Sequence, residues 1–353
     1  GALPTVRGAR VLGGCVSEGN RRFVLRERPT GRIGPGTFEL VDEPVPNIVE
    51  GEALVRTQWI SLDPANRGWI RDAPSYLPPV GIGEVMRGLG LGRVVASKHP
   101  GYREGQLVTG LLGWQEWTVT GDAALVQPVN EIAGVPASAY LGALGMTGRT
   151  AWVGMTDIGR PLPGETVVVS AAAGAVGSVA GQIAKHRGAR VVGIAGGRDK
   201  CALLIERLGF DAAVDRRAGD WREELAAATP EGIDVDFENV GGEIMEAVFA
   251  RLNLRARVAL CGLISGYNDV ELPPGPRNFR TLLTQRVRLQ GFIVLDHLDR
   301  RDDAVAELSG WLAAGELDML ETVIEGFEQL PTAINMLFDG TNVGKLVVHV
   351  ADD

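Results

Sequence analysis

The segment that most constrains how this chain can fold is Thr166-Val-Val-Val-Ser-Ala-Ala-Ala-Gly174-Ala-Val-Gly177. Its β-branched run predicts a buried strand over Thr166–Ser170. The small residues after it predict a tight turn, and 177–187 reads as a helix because Val179, Ile183 and Ala184 share one face. Ala172, Gly174, Ala175, Val176 and Gly177 thus form a G-x-G-x-x-G arrangement in which Ala172 takes the place of the first glycine. The physical logic survives that replacement. Gly174 lets the backbone approach a pyrophosphate, Gly177 permits close helix–strand packing, and the helix N-terminus offers free N–H groups and positive potential. A plain tight turn shares the local pattern, but a second strand at the right distance favours dinucleotide binding.

That second strand belongs to a series. Arg190–Ala195, Ala212–Asp215, 234–238, 257–261 and 288–294 read as strands, separated by helical stretches at 199–208, 221–228 and 243–252. Strand–helix alternation implies an α/β unit, a Rossmann doubly wound parallel sheet. From about Phe23 to Pro136 the texture is different, rich in Gly, Pro and short β-type runs, and predicts a strand-dominated, barrel-like unit. The chain has 353 residues, beyond the roughly 250–300 that one hydrophobic core usually serves. The expected organisation is a β-rich domain at 1–138, a Rossmann domain at 139–317, and a segment 318–353 that returns to complete the first domain. The cleft between them is the natural place for chemistry.

The end of the second strand decides which dinucleotide fits. An NAD site usually places Asp or Glu there for the ribose hydroxyls, but this chain reads Ala195-Gly196-Gly197-Arg198-Asp199-Lys200. Gly196 and Gly197 leave room, and Arg198 and Lys200 offer cations to a 2′-phosphate, so NADPH is the expected cofactor. In the competing reading Asp199 caps the next helix and the two cations are merely solvated.

Charge and composition exclude several classes. A formal net charge of −9 speaks against a nucleic-acid backbone as main partner. No apolar run approaches the roughly 20 residues of a membrane span, and the first ten residues lack the pattern of a secretory signal, so a cytoplasmic protein is expected. Three cysteines (Cys15, Cys201, Cys261) form no C-x-x-C pair, and His99, His186, His297 and His349 are isolated, so no metal site and no nucleophilic triad can be assembled. Cys261 ends an apolar strand and reads as a wall of the cofactor site, not as a reactive thiol.

Several further segments carry a family resemblance when read together. They are Ser61-Leu-Asp-Pro64 with Arg67, Gly145-Met-Thr-Gly-Arg-Thr150, Glu238-Asn-Val-Gly-Gly242, Cys261-Gly-Leu-Ile-Ser-Gly-Tyr-Asn268, Leu289-Gln-Gly-Phe-Ile-Val294 and Asn342-Val-Gly-Lys345. From about residue 20 to the C-terminus the chain resembles the zinc-independent prostaglandin reductase and alkenal double-bond reductase branch of the medium-chain dehydrogenases, the bacterial curcumin reductase type especially. The resemblance implies a GroES-like substrate domain beside the Rossmann domain, and NADPH-dependent reduction of a carbon–carbon double bond conjugated to a carbonyl. It further implies that Met146 and Thr150 line the cofactor cleft, that Asn239 reaches the ribose side, that Phe292, Ile293 and Val294 border the nicotinamide, and that Asn342 returns to hold the cofactor. On their own residues, Asn239 reads rather as the end of a strand turning and 289–294 as a core strand.

The implied partners are a small activated alkene and a second copy of the chain, paired through the apolar strand at 288–295. In the implied chemistry hydride reaches the β-carbon of an enone or enal, hydrogen bonds stabilise the enolate oxygen, and a proton reaches the α-carbon. Tyr267, which follows the strand end at Cys261 and resembles the family's active-site tyrosine, is the expected polar group; a packed loop aromatic is the alternative. The chain departs from the family at Ala65 and Asn66, which precede Arg67 where Tyr and Met are usual, and at Trp152, where Tyr is frequent. The Ala65, Asn66 and Arg67 side of the pocket is therefore expected to be wider or differently polar. Quinone reduction on the same fold and a non-catalytic NADPH-binding scaffold remain the rival functions.

Overall fold

The computed structural model describes residues 19–271 and 273–352, so Cys15 and the first part of the expected N-terminal domain lie outside the described residues. Six parallel strands form one sheet in the spatial order Ala212–Asp215, Arg190–Ala195, Thr166–Ser170, Ile233–Glu238, Leu252–Leu260, Arg288–Gly291. In chain order this is third, second, first, fourth, fifth, sixth. Every residue of Thr166–Ser170 is buried, as a central parallel strand covered on both faces requires. One face carries Val167, Val169, Val235 and Phe237 against the helix Ala175–His186; the other carries Val168, Val192, Val214 and Val258 against the helices Trp221–Ala228 and Gly242–Phe249.

The strand order reverses between Thr166–Ser170 and Ile233–Glu238, the switch point at which open α/β sheets bind ligands beyond the carboxyl ends of their strands. Four of the six strands fall where the sequence places them to within one residue. The fifth starts at Leu252, not 257, which cuts short the helix expected over 243–252 to Gly242–Phe249. A register shift and Arg255 at φ 65° interrupt this strand, which hides its early half from a period-two reading. The sixth ends at Gly291 and is followed by a short helical turn, Val294–Arg300.

A second sheet orders Glu321–Glu325, Lys345–His349, Ala53–Leu62, Gly90–Ser97, Leu107–Gly110 and Val126–Pro128, with Trp117–Thr120 also on Ala53–Leu62. Lys345–His349 pairs antiparallel with Ala53–Leu62, so the last strand is built into the sheet of the N-terminal half. Its Leu346 and Val348 share a core with Phe23, Ile60 and Trp114, and Phe327 stacks on Phe23 at a centroid separation of 5.2 Å. No helix among the described residues is long and apolar enough to cross a membrane.

Candidate active site

The turn after Thr166–Ser170 is as tight as its sequence demands. A Cβ at Gly177 would stand 2.4 Å from the Ala171 carbonyl oxygen, and one at Gly174 would stand 3.1 Å from the same atom. The left-handed residue of the turn is Ala171, φ 48°, one position before Ala172. Ala172 is tolerated in the glycine position because Gly193 faces it from the next strand, where a Cβ would come within 2.9 Å of the Ala172 methyl. Gly174 is the N-cap of the helix Ala175–His186 and no side chain caps it, so the amide hydrogens of Ala175, Val176 and Gly177 are aimed into the cleft for an anion. Gly344 forms a bridge with Gly174, its N–H donating to the Ala173 carbonyl at 2.7 Å, which brings the C-terminal Asn342–Lys345 stretch against this turn. A cradle this close to the backbone fits a pyrophosphate.

Next along the switch edge is a basic cluster. The helix Arg198–Glu206 is capped by Gly197 at φ 105°, and Asp199 lies within its first turn, so Asp199 is not the cap that the competing sequence reading made it. Arg198 is exposed, but Lys200 is partly buried: its Nζ donates to the carbonyls of Asn342 at 2.6 Å and Gly340 at 2.9 Å. Burial, then the charges of Arg217 and Arg216, hold its pKa below the ordinary lysine value. Those two arginines follow the strand Ala212–Asp215. A Cβ at Gly196 would lie 3.2 Å from Arg217 Nε and 3.4 Å from Arg216 Nε, so both guanidiniums stand directly over Gly196. Asp215 fixes this corner by accepting the amide hydrogens of Gly197 at 2.7 Å and Arg217 at 3.0 Å.

The floor of the switch point is hydrogen-bonded shut. Asn239 donates from its backbone to Ser170 Oγ and from Nδ2 to the Ser170 carbonyl, both at 2.7 Å. Glu238 Oε1 accepts from Ser170 Oγ and from the amides of Val240 and Gly241. Cys261 sits above Glu238, and burial, reinforced by the Glu238 charge, pushes its thiol up to about 12, which makes it a neutral wall residue. Thr150 turns its hydroxyl back to the Met146 carbonyl at 2.8 Å within the helix Met146–Val153. The Phe292 ring is turned inward, edge-on to Phe237 and against Gly154, and Val294 is buried. Of the residues expected to border a nicotinamide, Phe292 and Val294 therefore present backbone more than side chain, and Ile293 is partly exposed between them.

Across the cleft lies the short helix Pro64–Trp69. Asn66 is fully buried: its Oδ1 accepts the Asp63 amide at 2.7 Å and its Nδ2 donates to the Arg87 carbonyl at 3.0 Å. The expectation that Asn66 offers a polar group to a substrate is corrected by its capping box with Asp63 and its bond to Arg87, which together use both ends of the amide. Arg67 is likewise buried and donates to the carbonyls of Gly31 and Pro29 and to Asn268 Oδ1. Ala65, partly buried, packs against the core that holds Trp69 and Ile70. Tyr267 follows the turn Ile264–Gly266 and its Oη accepts the Leu263 amide hydrogen at 3.2 Å, which leaves the phenolic hydrogen for another acceptor. Burial raises its pKa above the usual phenol value, so it is protonated at neutral pH.

Two family profiles match this chain: that described as N-terminal domain of oxidoreductase over 21–129, and that described as zinc-binding dehydrogenase over 175–310. The chain is 45% identical over 343 residues to the NADPH-dependent curcumin reductase of Escherichia coli (strain K12), covering 95% of this chain and 98% of that protein. It is 36% identical over 340 residues to the 2-alkenal reductase (NADP(+)-dependent) of Nicotiana tabacum, covering 94% and 98%. The crystal structure of CurA in complex with NADPH from Vibrio vulnificus is similar at TM-score 0.89 and 42% identity, over 94% of this chain and all of that one. The chain belongs to the zinc-independent prostaglandin reductase and alkenal reductase branch of the medium-chain dehydrogenases. Among the described residues no three His, Cys, Asp or Glu side chains come together as a metal site would need.

In this member of the branch, the residues that sequence reasoning passed over are Arg216 and Arg217. Their signal was available: two consecutive arginines immediately after the third strand of a Rossmann sheet, level with Gly196 and Gly197. Parallel pairing of Ala195 with Asp215 puts the two strand ends side by side, so the basic corner draws on both strands.

Proposed function

We propose that this chain reduces the carbon–carbon double bond of α,β-unsaturated ketones or aldehydes with NADPH. The observation that carries this reading is Tyr267, a protonated phenol with an uncommitted hydrogen, in the loop that follows Leu252–Leu260 at the carboxyl edge of the sheet that also bears the dinucleotide cradle and its basic corner. Ala172, Gly174, Ala175, Val176 and Gly177 hold the pyrophosphate, and Gly196, Gly197, Lys200, Arg216 and Arg217, with Arg198 at the rim, hold the 2′-phosphate. Met146, Thr150, Asn239, Cys261, the Phe292–Val294 backbone and Asn342 wall the remainder of the cofactor site. Bound NADPH would supply a hydride to the β-carbon, and the enolate takes a proton at its α-carbon from solvent. Tyr267 donates a hydrogen bond to the carbonyl oxygen, where negative charge develops, and so lowers the barrier in the manner of an oxyanion hole. Ala65 leaves that side of the substrate pocket open.

This reading divides the chain into a substrate domain at 1–138, completed by 318–353, and a cofactor domain at 139–317. It also has the protein working in the cytoplasm as a homodimer. Among the described residues the sheet ends at Arg288–Gly291, which pairs on one side only, and Phe279 and Leu283 stand exposed near that edge, which supports pairing there. The test is NADPH consumption across enals, enones, nitroalkenes and quinones, with Tyr267→Phe as control. Turnover of enones or enals should fall in the variant, by about tenfold or more, with NADPH affinity nearly unchanged. Consumption with quinones alone would replace this reading, and none with any acceptor would leave a binding scaffold.

A further inference from the structure

The substrate side of the cleft carries a second phenol. Tyr76 Oη accepts a hydrogen bond at 3.2 Å from the indole Nε1 of Trp69, the last residue of the helix Pro64–Trp69. Trp69 is itself buried, with the Arg87 guanidinium 5.6 Å from its ring centre, so the indole is a fixed support. The same stretch is tied to the loop that bears Tyr267. Arg67 Nε donates to Asn268 Oδ1 at 3.2 Å, and Arg71 Nη2 donates to the carbonyls of Asp269 at 3.0 Å and Val270 at 2.9 Å. These bonds hold the stretch that bears Tyr76 against the loop that bears Tyr267, near enough for Tyr267 to act electrostatically on Tyr76.

Their hydrogen-bonding states match. The Tyr76 oxygen accepts from an indole N–H and the Tyr267 oxygen accepts from the Leu263 amide N–H; neither partner can accept in return. Each phenol therefore keeps one hydrogen for an incoming acceptor. Tyr76 is 47% exposed, whereas Asn66 and Arg67 on the adjoining helix are buried, and Ala65 has no polar atom. The substrate domain thus offers Tyr76 as its accessible neutral donor beside this helix.

We propose that Tyr76 and Tyr267 form a two-donor clamp on the substrate's carbonyl oxygen, one phenol from each side of the cleft, with Trp69 as the positioning residue for Tyr76. The inference rests on the enone-reductase reading above. Two donors on one oxygen meet the charge that hydride addition places there more fully than one, and they orient the double bond from both sides. Partial burial raises the Tyr76 pKa, and deeper burial that of Tyr267, above the usual tyrosine value, so both stay protonated at working pH.

The experiment compares the full-length wild type with Tyr76→Phe, Tyr267→Phe, the double variant and Trp69→Phe. It measures kcat and KM on one enone at saturating NADPH, and dissociation of a saturated ketone from the NADP(+)-loaded protein by fluorescence. Tyr76→Phe should lower kcat/KM about tenfold, leave the KM for NADPH unchanged, and weaken ketone binding. The double variant should lose less than the product of the single losses, because both groups serve one oxygen. Trp69→Phe should reduce kcat/KM in the wild-type background and have little effect beside Tyr76→Phe. A Tyr76→Phe enzyme with wild-type kcat/KM and ketone affinity, while Tyr267→Phe is impaired, overturns the clamp and leaves the enone reading standing. A wild type inert on enones but holding the ketone through both phenols removes the enone reading and keeps the carbonyl clamp.

Discussion

Lys200 donates its ammonium hydrogens to the carbonyl oxygens of Asn342 and Gly340, so one side chain joins the basic corner of the cleft to the C-terminal segment. Lys200 therefore serves structure as well as charge, while the Arg216 and Arg217 guanidiniums over Gly196 are held more loosely, Arg217 Nη2 lying 3.5 Å from the Gly340 carbonyl. Changing Arg216 and Arg217 together to Ala should raise the KM for NADPH by about tenfold or more, the usual scale for losing charge-assisted bonds, and leave that for NADH nearly constant. Lys200→Ala should raise the KM for NADPH more than that for NADH and in addition lower thermal stability. Steady-state kinetics with both cofactors, beside thermal unfolding, separate the two behaviours; equal effects on NADPH and NADH in the double arginine variant would remove those arginines from 2′-phosphate recognition.

The second prediction concerns Gly177. A methyl there meets the Ala171 carbonyl oxygen at 2.4 Å, a backbone atom that cannot swing aside, so helix and strand must separate. Gly177→Ala should destabilise by about 1–3 kcal/mol, the ordinary cost of overpacking, and weaken NADPH binding because the helix N-terminus moves with it. Calorimetry with and without NADPH measures both. An unchanged unfolding temperature would show that the turn has slack.

These cases also show what could be read in the chain and what could not. The cofactor turn was legible because every element of its geometry is local: a buried Val run, two small residues at fixed spacing, and a helix face. Arg216 and Arg217 were not, since their proximity to Gly196 depends on parallel pairing of Ala195 with Asp215, a contact between separate strands. Asn66 looks like pocket polarity in sequence, yet Asp63 and Arg87 bind both ends of its side chain, and only tertiary structure supplies Arg87. The helix Arg301–Ala314 was missed although Asp302 and Asp303 in its first turn and Gly315 in the left-handed C-terminal position are local signals for it. Its scattered apolar residues give no clear face.

A third prediction follows from Asp236, fully buried on the strand Ile233–Glu238 with no hydrogen-bond partner for either oxygen among the described residues. Burial, then the neighbouring Glu238 charge, raises its pKa well above the ordinary carboxyl value. A carboxyl raised on folding adds stability at low pH, where it is protonated in both states. That stability is lost as pH climbs through the folded-state pKa, because the unfolded chain then ionises more readily. Wild-type unfolding temperature should thus decline toward alkaline pH, and Asp236→Asn, which cannot ionise, should flatten the decline and exceed the wild type by roughly 2–4 °C above the transition. Parallel profiles from pH 5 to 9 would mean that Asp236 ionises without cost.

The last prediction tests the pocket at Ala65. Its methyl is partly buried at the start of the helix Pro64–Trp69, and the side chains of Asn66 and Arg67 beside it are buried. Filling that space with an aromatic ring should exclude bulky substrates more than small ones. Ala65→Tyr is expected to lower kcat/KM for aryl enones relative to short alkenals by about 10-fold, near the lower end of what pocket-size changes achieve. The ring leaves room for a short chain, so kcat on the small alkenal should hold while KM for the aryl enone climbs. Competition between one aryl enone and one short alkenal in a single reaction reads the ratio directly, and an unaltered ratio would show that Ala65 does not face the substrate.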